Sequence, residues 1–321
     1  MLKKFNVKYV LTIGVAILLV LGIYAHYRTV PIFPEQRKIG TTYMTMNNAF
    51  YKIVNAEVEK AVDSRGDILY TRDPALSVDK QCEQIESFID KEVDVIIINP
   101  VDSGSQKITK TLKKARQKGI KIVVVDSQLK DDQVVDVTVV SDNYRAGVLN
   151  AQHMIETMPK ADILLLEHAD TLSAVDRING FLDTIRGQGN YRVVARRESL
   201  GQTEIAMPEV ESVIESGVHF DVIMALNDQS ALGALAAVKE NALEHKVAIY
   251  GVDGSPDMKN ILRYTNDVAA TVAQSPVTMG EEAVESAYQL LEGKKTDVVI
   301  TIPVSLLDKK TIQDVNIAGW Q

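Results

Sequence analysis

From Lys38 onward, short runs of aliphatic and β-branched residues alternate with longer stretches of helical spacing. The runs predict strands at Lys38–Met44, Asp67–Thr71, Val93–Asn99, Ile120–Asp126, Asp136–Val140 and Ile163–Glu167. Five more follow at Arg192–Ala195, Asp221–Leu226, Val247–Val252, Ala269–Ala273 and Val298–Pro303. Several are apolar without interruption, as in Val95–Ile98, Ile122–Val125 and Ile163–Leu166, which is how a parallel strand covered on both faces by helices reads. Helices are predicted between them, at Phe50–Arg65, Ser105–Lys118, Tyr144–Met158, Ala174–Gly187 and Gln229–Asn241. Such alternation means doubly wound α/β architecture. Eleven strands exceed one ordinary open sheet, so two sheets, and hence two lobes, are expected.

The first residues follow a different pattern. Tyr9–Ala25 carries no charged side chain, and Lys3, Lys4 and Lys8 precede it. Such a run is about the shortest that spans a bilayer as a helix. Lysines on its N-terminal side predict a cytoplasmic tip and an exported remainder. A cleaved signal peptide competes with an uncleaved signal anchor. Ala25 could end such a peptide, but Ile23, two residues before it, is not small, so the anchor is the expectation. No cysteine follows the run, which excludes a lipid-anchored lipoprotein. A buried core helix would show a polar stripe, and this run shows none. Pro31 and Pro34, within Val30–Arg37, disfavour helix and predict a short stiff spacer.

Composition narrows the function classes. The 321 residues are 46 % hydrophobic and 24 % charged, a globular balance, with formal net charge −8. Acidic chains bind the phosphate backbone poorly, so no nucleic-acid partner is expected. The single cysteine, Cys82, makes no internal disulfide, and its helical stretch Asp79–Asp90 reads as half-buried packing. No calcium-loop pattern occurs, and neither a metal nor another cofactor is expected.

In open parallel sheets ligands bind beyond the carboxyl ends of the strands. Those ends are polar here: Asn47–Tyr51, Asn99 with Asp102 and Ser103, Asp126–Gln128, Ser173–Arg177, Asn227–Asp228, Asp253–Pro256 and Gln274–Pro276. Asp accepts from two neighbouring hydroxyls, Arg donates in a fork, and Asn or Gln does both. An aromatic face covers the C–H side of a sugar ring. Taken singly, each Asn or Asp reads as readily as a helix cap, and Phe50 as core. Recurrence at seven strand ends favours a site for a polyhydroxylated ligand.

Eight segments in order carry a family resemblance: Asn48–Tyr51, Val95–Ser103, Lys121–Gln128, Val140–Asn143, Asp176–Phe181, Asn227–Leu235, Tyr250–Asp257 and Ala269–Pro276. Over Lys38 to about Leu307 the chain resembles the bacterial ribose-binding proteins, which share a fold with the sugar-sensing domains of lac-repressor-type regulators. The resemblance implies a type I periplasmic binding fold with a three-strand hinge. One lobe would hold residues 38–140 and 275–303, the other 141–274 and 304–321, after an N-terminal segment 1–37. It implies that Asn48, Phe50, Tyr51, Asn99 and Asp126 line the N-terminal lobe's side. Arg177, Asn227 and Asp253 would line the C-terminal lobe's side, with Gln274 at the hinge. The family's Asp-Arg pair after the fourth strand is here Asp126-Ser127, and its second aromatic near Gly201 is missing, so a roomier or differently polar pocket is expected there, open to a larger or modified sugar.

The expected function is therefore a membrane-anchored extracytoplasmic receptor whose lobes close on a sugar-like ligand. Its partner would be an ABC-type permease or a histidine kinase. An enzyme is not expected: the chain has no Walker loop, no G-x-S-x-G elbow and no H-E-x-x-H. Of the five histidines only His168 follows a strand end, and a solvated loop position is the expectation for it. A regulator of transcription would carry a helix-turn-helix where this chain has its apolar run.

Overall fold

The computed structural model describes residues 7–29, 36–243 and 245–320. Two compact units divide at Arg37 and Lys38. The first holds one helix, α1 (Val7–Thr29), of 23 residues. From Tyr9 to His26 its described side chains are exposed on every side. Among the described residues no helix is long and apolar enough to cross a membrane; on α1 the described side chains are residue 9 and residues 11–26. The flanking lysines and the two prolines of the expected spacer lie outside the described side chains.

The second unit begins with β1 (Lys38–Thr42), α2 (Ala49–Arg65), β2 (Ile68–Arg72), α3 (Val78–Asp90), β3 (Val95–Ile98), α4 (Gln106–Gln117), β4 (Lys121–Val125) and β5 (Val137–Ser141). It continues through α5 (Asn143–Thr157), β6 (Ala161–Glu167), α6 (Leu172–Ile185), β7 (Tyr191–Glu198), α7 (Thr203–Glu215), β8 (Val222–Ala225) and α8 (Asp228–Glu240). Then come β9 (Ala248–Asp253), α9 (Pro256–Tyr264), β10 (Ala270–Ala273), α10 (Pro276–Leu291), β11 (Val299–Ile302), β12 (Ser305–Asp308) and a 3₁₀ turn, Thr311–Asp314.

Two six-stranded sheets result, in the orders β11-β5-β4-β3-β1-β2 and β12-β10-β9-β8-β6-β7. Every pair is parallel except β10 with β12. The β3 run, Val95 to Ile98, is wholly buried, as strands covered on both faces must be. The chain passes between the sheets three times: after β5, after β10 and after β11. One strand beyond the predicted eleven is present. Short, half-exposed β12 turns back antiparallel along the edge of the second sheet, just after Pro303.

Glycines set the closest helix approach. A Cβ on Gly147 of α5 would stand 1.8 Å from the Arg177 carbonyl oxygen, and one on Gly180 of α6 would stand 2.0 Å from that of Tyr144. Only bare Cα atoms at both positions let α5 and α6 touch backbone to backbone, which fixes where α6 presents Arg177. Cys82, on α3, is buried rather than half-buried, with its thiol pushed up by that burial.

Candidate functional site: a closed cavity between two lobes

The carboxyl ends of both sheets face one cavity. Its empty volume is ≈ 390 Å³, mouth included, toward the small end of small-molecule sites. Eight of the nine residues expected to line it do so: Asn48, Phe50, Tyr51, Asp126, Arg177, Asn227, Asp253 and Gln274. Each is at most 7 % exposed, so the lobes stand closed over them.

Arg177 is the centre. Its Nε donates to Asn143 Oδ1 at 2.8 Å and its Nη1 to the Leu226 carbonyl at 3.0 Å. Its Nη2 donates to Gln274 Oε1 at 3.2 Å and lies 3.6 Å from Asp126 Oδ1. Gln274 passes the connection on, donating Nε2 to Asp253 Oδ1 at 2.8 Å. Tyr51 donates its hydroxyl to Asp126 Oδ2 at 3.0 Å. One guanidinium thus stands between two buried carboxyls from opposite lobes. Burial pushes the Asp126 carboxyl up, against the pull of Arg177 and Tyr51. Asp253 is pushed well above the carboxylate range by burial and by neighbouring Asp228, with Arg177 and Gln274 opposing.

Both carboxyl residues have positive φ, 62° at Asp126 and 141° at Asp253, as does cavity-lining Leu200 at 49°. Such backbone costs about 1–3 kcal/mol per residue and gathers where surrounding structure holds a functional geometry. Neither Asp caps a helix. The capping alternative does describe Asn48, which accepts from the Phe50 N–H, and Asn227, which accepts from the Ser230 N–H. Asn227 also donates to the Gly201 carbonyl at 3.1 Å, so both ends of its amide are engaged within its own lobe.

Two expectations are corrected by this geometry. Asn99 does not line the cavity: fully buried behind it, it accepts from the Met44 N–H and donates to Asp126 Oδ2 at 3.4 Å, so it orients that carboxyl from the rear. His168 is no solvated loop residue. It is 6 % exposed, lines the cavity, and is held toward its neutral form by burial. Met44, Leu200, Gly201 and Gln202 also line the cavity without having been foreseen, although each lies just past a strand's carboxyl end.

Closure also completes a helix. Thr171, at the N-cap of α6, makes no side-chain cap bond. The Leu172 N–H donates instead to Ser103 Oγ at 3.0 Å, and the Ser173 N–H to Ser127 Oγ at 3.1 Å, both serines coming from the opposite lobe. The Ser103 N–H in turn donates to the Asp170 carbonyl at 2.8 Å. Among the described residues no cluster of His, Cys, Asp and Glu could hold a metal ion.

The family model for the periplasmic binding protein domain matches residues 39–295. The chain belongs to the periplasmic binding protein family. The ribose import binding protein of Bacillus subtilis is 29 % identical over 274 residues, spanning 85 % of this chain and 87 % of the relative. The D-xylose-binding periplasmic protein of Escherichia coli is 27 % identical and covers 78 % of this chain and 76 % of its own. Among solved structures, the arabinose ABC transporter's periplasmic binding protein from a Shewanella species, bound to L-arabinofuranose, superposes with TM-score 0.79 at 27 % identity. That match covers 86 % of this chain and 93 % of the other. An ABC transporter solute-binding protein from Mycobacterium smegmatis with bound glycerol reaches 0.82 at 24 % identity, covering 89 % and 98 %, a likeness of fold. These relatives of the periplasmic binding protein family are named for binding or import, none for catalysis, in keeping with the reading of the chain as a non-enzyme.

Proposed function

We propose that this protein binds a neutral, sugar-like polyol between its lobes as an extracytoplasmic receptor. The observation that carries the reading is the Asp126–Arg177–Gln274–Asp253 series, with Phe50 and Tyr51 beside it. Among the described residues Arg177 is the only Lys or Arg lining the cavity, and it is paired with Asp126 at 3.6 Å, so no surplus positive charge is left for a phosphate or carboxylate. Hydroxyls, which both donate and accept, suit such a set. The sugars named for relatives on both the sequence and the structure side support the same class.

Helix α1 is read as a signal anchor holding the receptor at the membrane, supported by the charge-free run Tyr9–Ala25. The partner is read as an ABC-type permease, the setting named for the relatives. A histidine-kinase sensor is the second reading, favoured by an uncleaved anchor that would keep the receptor beside one membrane partner.

The test is a thermal-shift screen against free pentoses and hexoses, their phosphates, and cyclic polyols. A ligand bound only by the folded state adds about 2.7 kcal/mol at a hundredfold excess over its Kd. Stabilisation by a free sugar or polyol, absent for its phosphate and lost in Arg177→Met, is expected. Stabilisation by the phosphates alone would overturn the neutral-ligand reading. Arg177→Met should itself cost the ligand-free fold about 3–5 kcal/mol, because Asp126 loses its buried counter-charge.

A further inference from the structure

Beyond the cavity, a second connection joins the lobes. After the 3₁₀ turn the chain runs on through residues 315–320. Lys259, on α9 of the C-terminal lobe, is fully buried. Its Nζ donates to the Asn316 carbonyl at 2.9 Å and also to that of Gly319. A buried ammonium is costly unless acceptors surround it, and here the segment's own carbonyls supply them. The next residue, Trp320, is seated on the other lobe. Its ring meets that of Phe50 edge to face, centroids 5.9 Å apart at 80°, and it packs against the N-terminal lobe's core cluster. Phe50 in turn meets Tyr51 at 5.6 Å and 85°, and the Tyr51 hydroxyl reaches Asp126 in the cavity.

We infer that residues 315–320 form an interlobe strap, anchored on one lobe by Lys259 and seated on the other by Trp320 against Phe50, which holds the lobes closed and steadies a cavity wall. Trp320 is thus a positioning residue: it does not line the cavity but backs an aromatic that does. The importance of Phe50 as a wall rests on the proposed function; the strap itself rests on the lobe contacts alone. Aromatic pairs of this geometry stabilise beyond their buried area, so the seat favours closure even without ligand.

The experiment uses the full chain in detergent micelles with no ligand added. Trp320 is the only tryptophan, so its fluorescence reports the seat directly. Acrylamide quenching should rise in Lys259→Met and in Phe50→Leu relative to the unaltered protein. Interlobe distance is read by pulsed electron resonance between nitroxides on Ala56→Cys of α2 and Ser212→Cys of α7, in a Cys82→Ser background. Trp320→Ala should shift the distribution to longer distances, and Trp320→Phe should restore it, since a smaller ring can still meet Phe50. Trp320 is a half-buried residue of the last segment, so its truncation leaves both lobe cores intact even where Lys259→Met proves unable to fold. An unchanged distribution in Trp320→Ala would overturn the strap. Because no sugar enters either measurement, a wrong ligand class leaves this result untouched, and a failed strap leaves the sugar screen standing.

Discussion

Asp253 shows what the proposed binding site would cost the fold that carries it. Its backbone φ is 141°, and its carboxyl is buried near a second buried carboxyl, that of Asp228. A carboxyl whose pKa is raised in the folded state holds its proton more tightly there than in the unfolded chain, whose Asp titrates near 3.9. Its contribution to stability is therefore fully present below about pH 3.9 and is lost as pH rises through the folded-state value. Asp253→Asn keeps an acceptor for Gln274 and removes that charge. Thermal unfolding of the ligand-free variant should accordingly lie above the unaltered protein at pH 7 and converge with it toward pH 4, while sugar affinity falls. An equal drop in unfolding temperature at both pH values would show that Asp253 is structural rather than strained for binding. At this scale the sequence was largely legible, because Asp126, Asp253 and Gln274 stand at or just past strand ends and Arg177 lies in the first turns of the helix after one, where the strand-end rule points. His168 obeys the same rule, immediately after Glu167; what its position did not reveal is its burial, which no local pattern encodes. Asn99 misled for the converse reason, since its position was right and its side chain turned inward to Met44 and Asp126.

Helix α6 carries both the cavity's cation and the contact that reports closure. Its first two N–H groups find their acceptors on Ser103 and Ser127 of the opposite lobe. Opening the lobes therefore uncaps the helix, at a cost of about 0.5–2 kcal/mol per cap. Neither serine lines the cavity. Ser103→Ala with Ser127→Ala should thus weaken sugar binding chiefly by faster dissociation in stopped-flow, with the ligand contacts themselves intact; a slower association rate at unchanged dissociation would refute the cap. The departure at Ser127 from the expected Asp-Arg pair was visible in the sequence as a lost cation, but its place in closure depends on the neighbouring lobe. Gly180 lies on the same helix, one turn beyond Arg177. A methyl there would collide with the Tyr144 carbonyl, so Gly180→Ala should force α5 and α6 apart, lower stability by about 1–3 kcal/mol or more in urea unfolding, and disturb the placement of Arg177. Buried parallel strands such as β3 announced themselves as apolar runs. Edge strand β12 did not, since it is four residues long, half-exposed and antiparallel.

Across the whole chain, the cavity residues, the serines of the cap and the strap all belong to one compact unit beginning at Lys38. The apolar helix α1 belongs to the other. Binding and retention at the membrane should then be separable. A chain beginning at Gln36 keeps β1 between β3 and β2, with the Lys38 N–H donating to Asp94 Oδ2 at 2.8 Å, so the first sheet stays whole. That shortened chain should bind the sugar identified in the screen with the Kd of the full chain, by calorimetry, while moving from the membrane to the soluble fraction on centrifugation. Equal affinity with loss of retention assigns the anchor to location alone. Weaker binding in the shortened chain would mean that the N-terminal unit bears on lobe closure, and retention without α1 would move the membrane contact onto the lobes themselves.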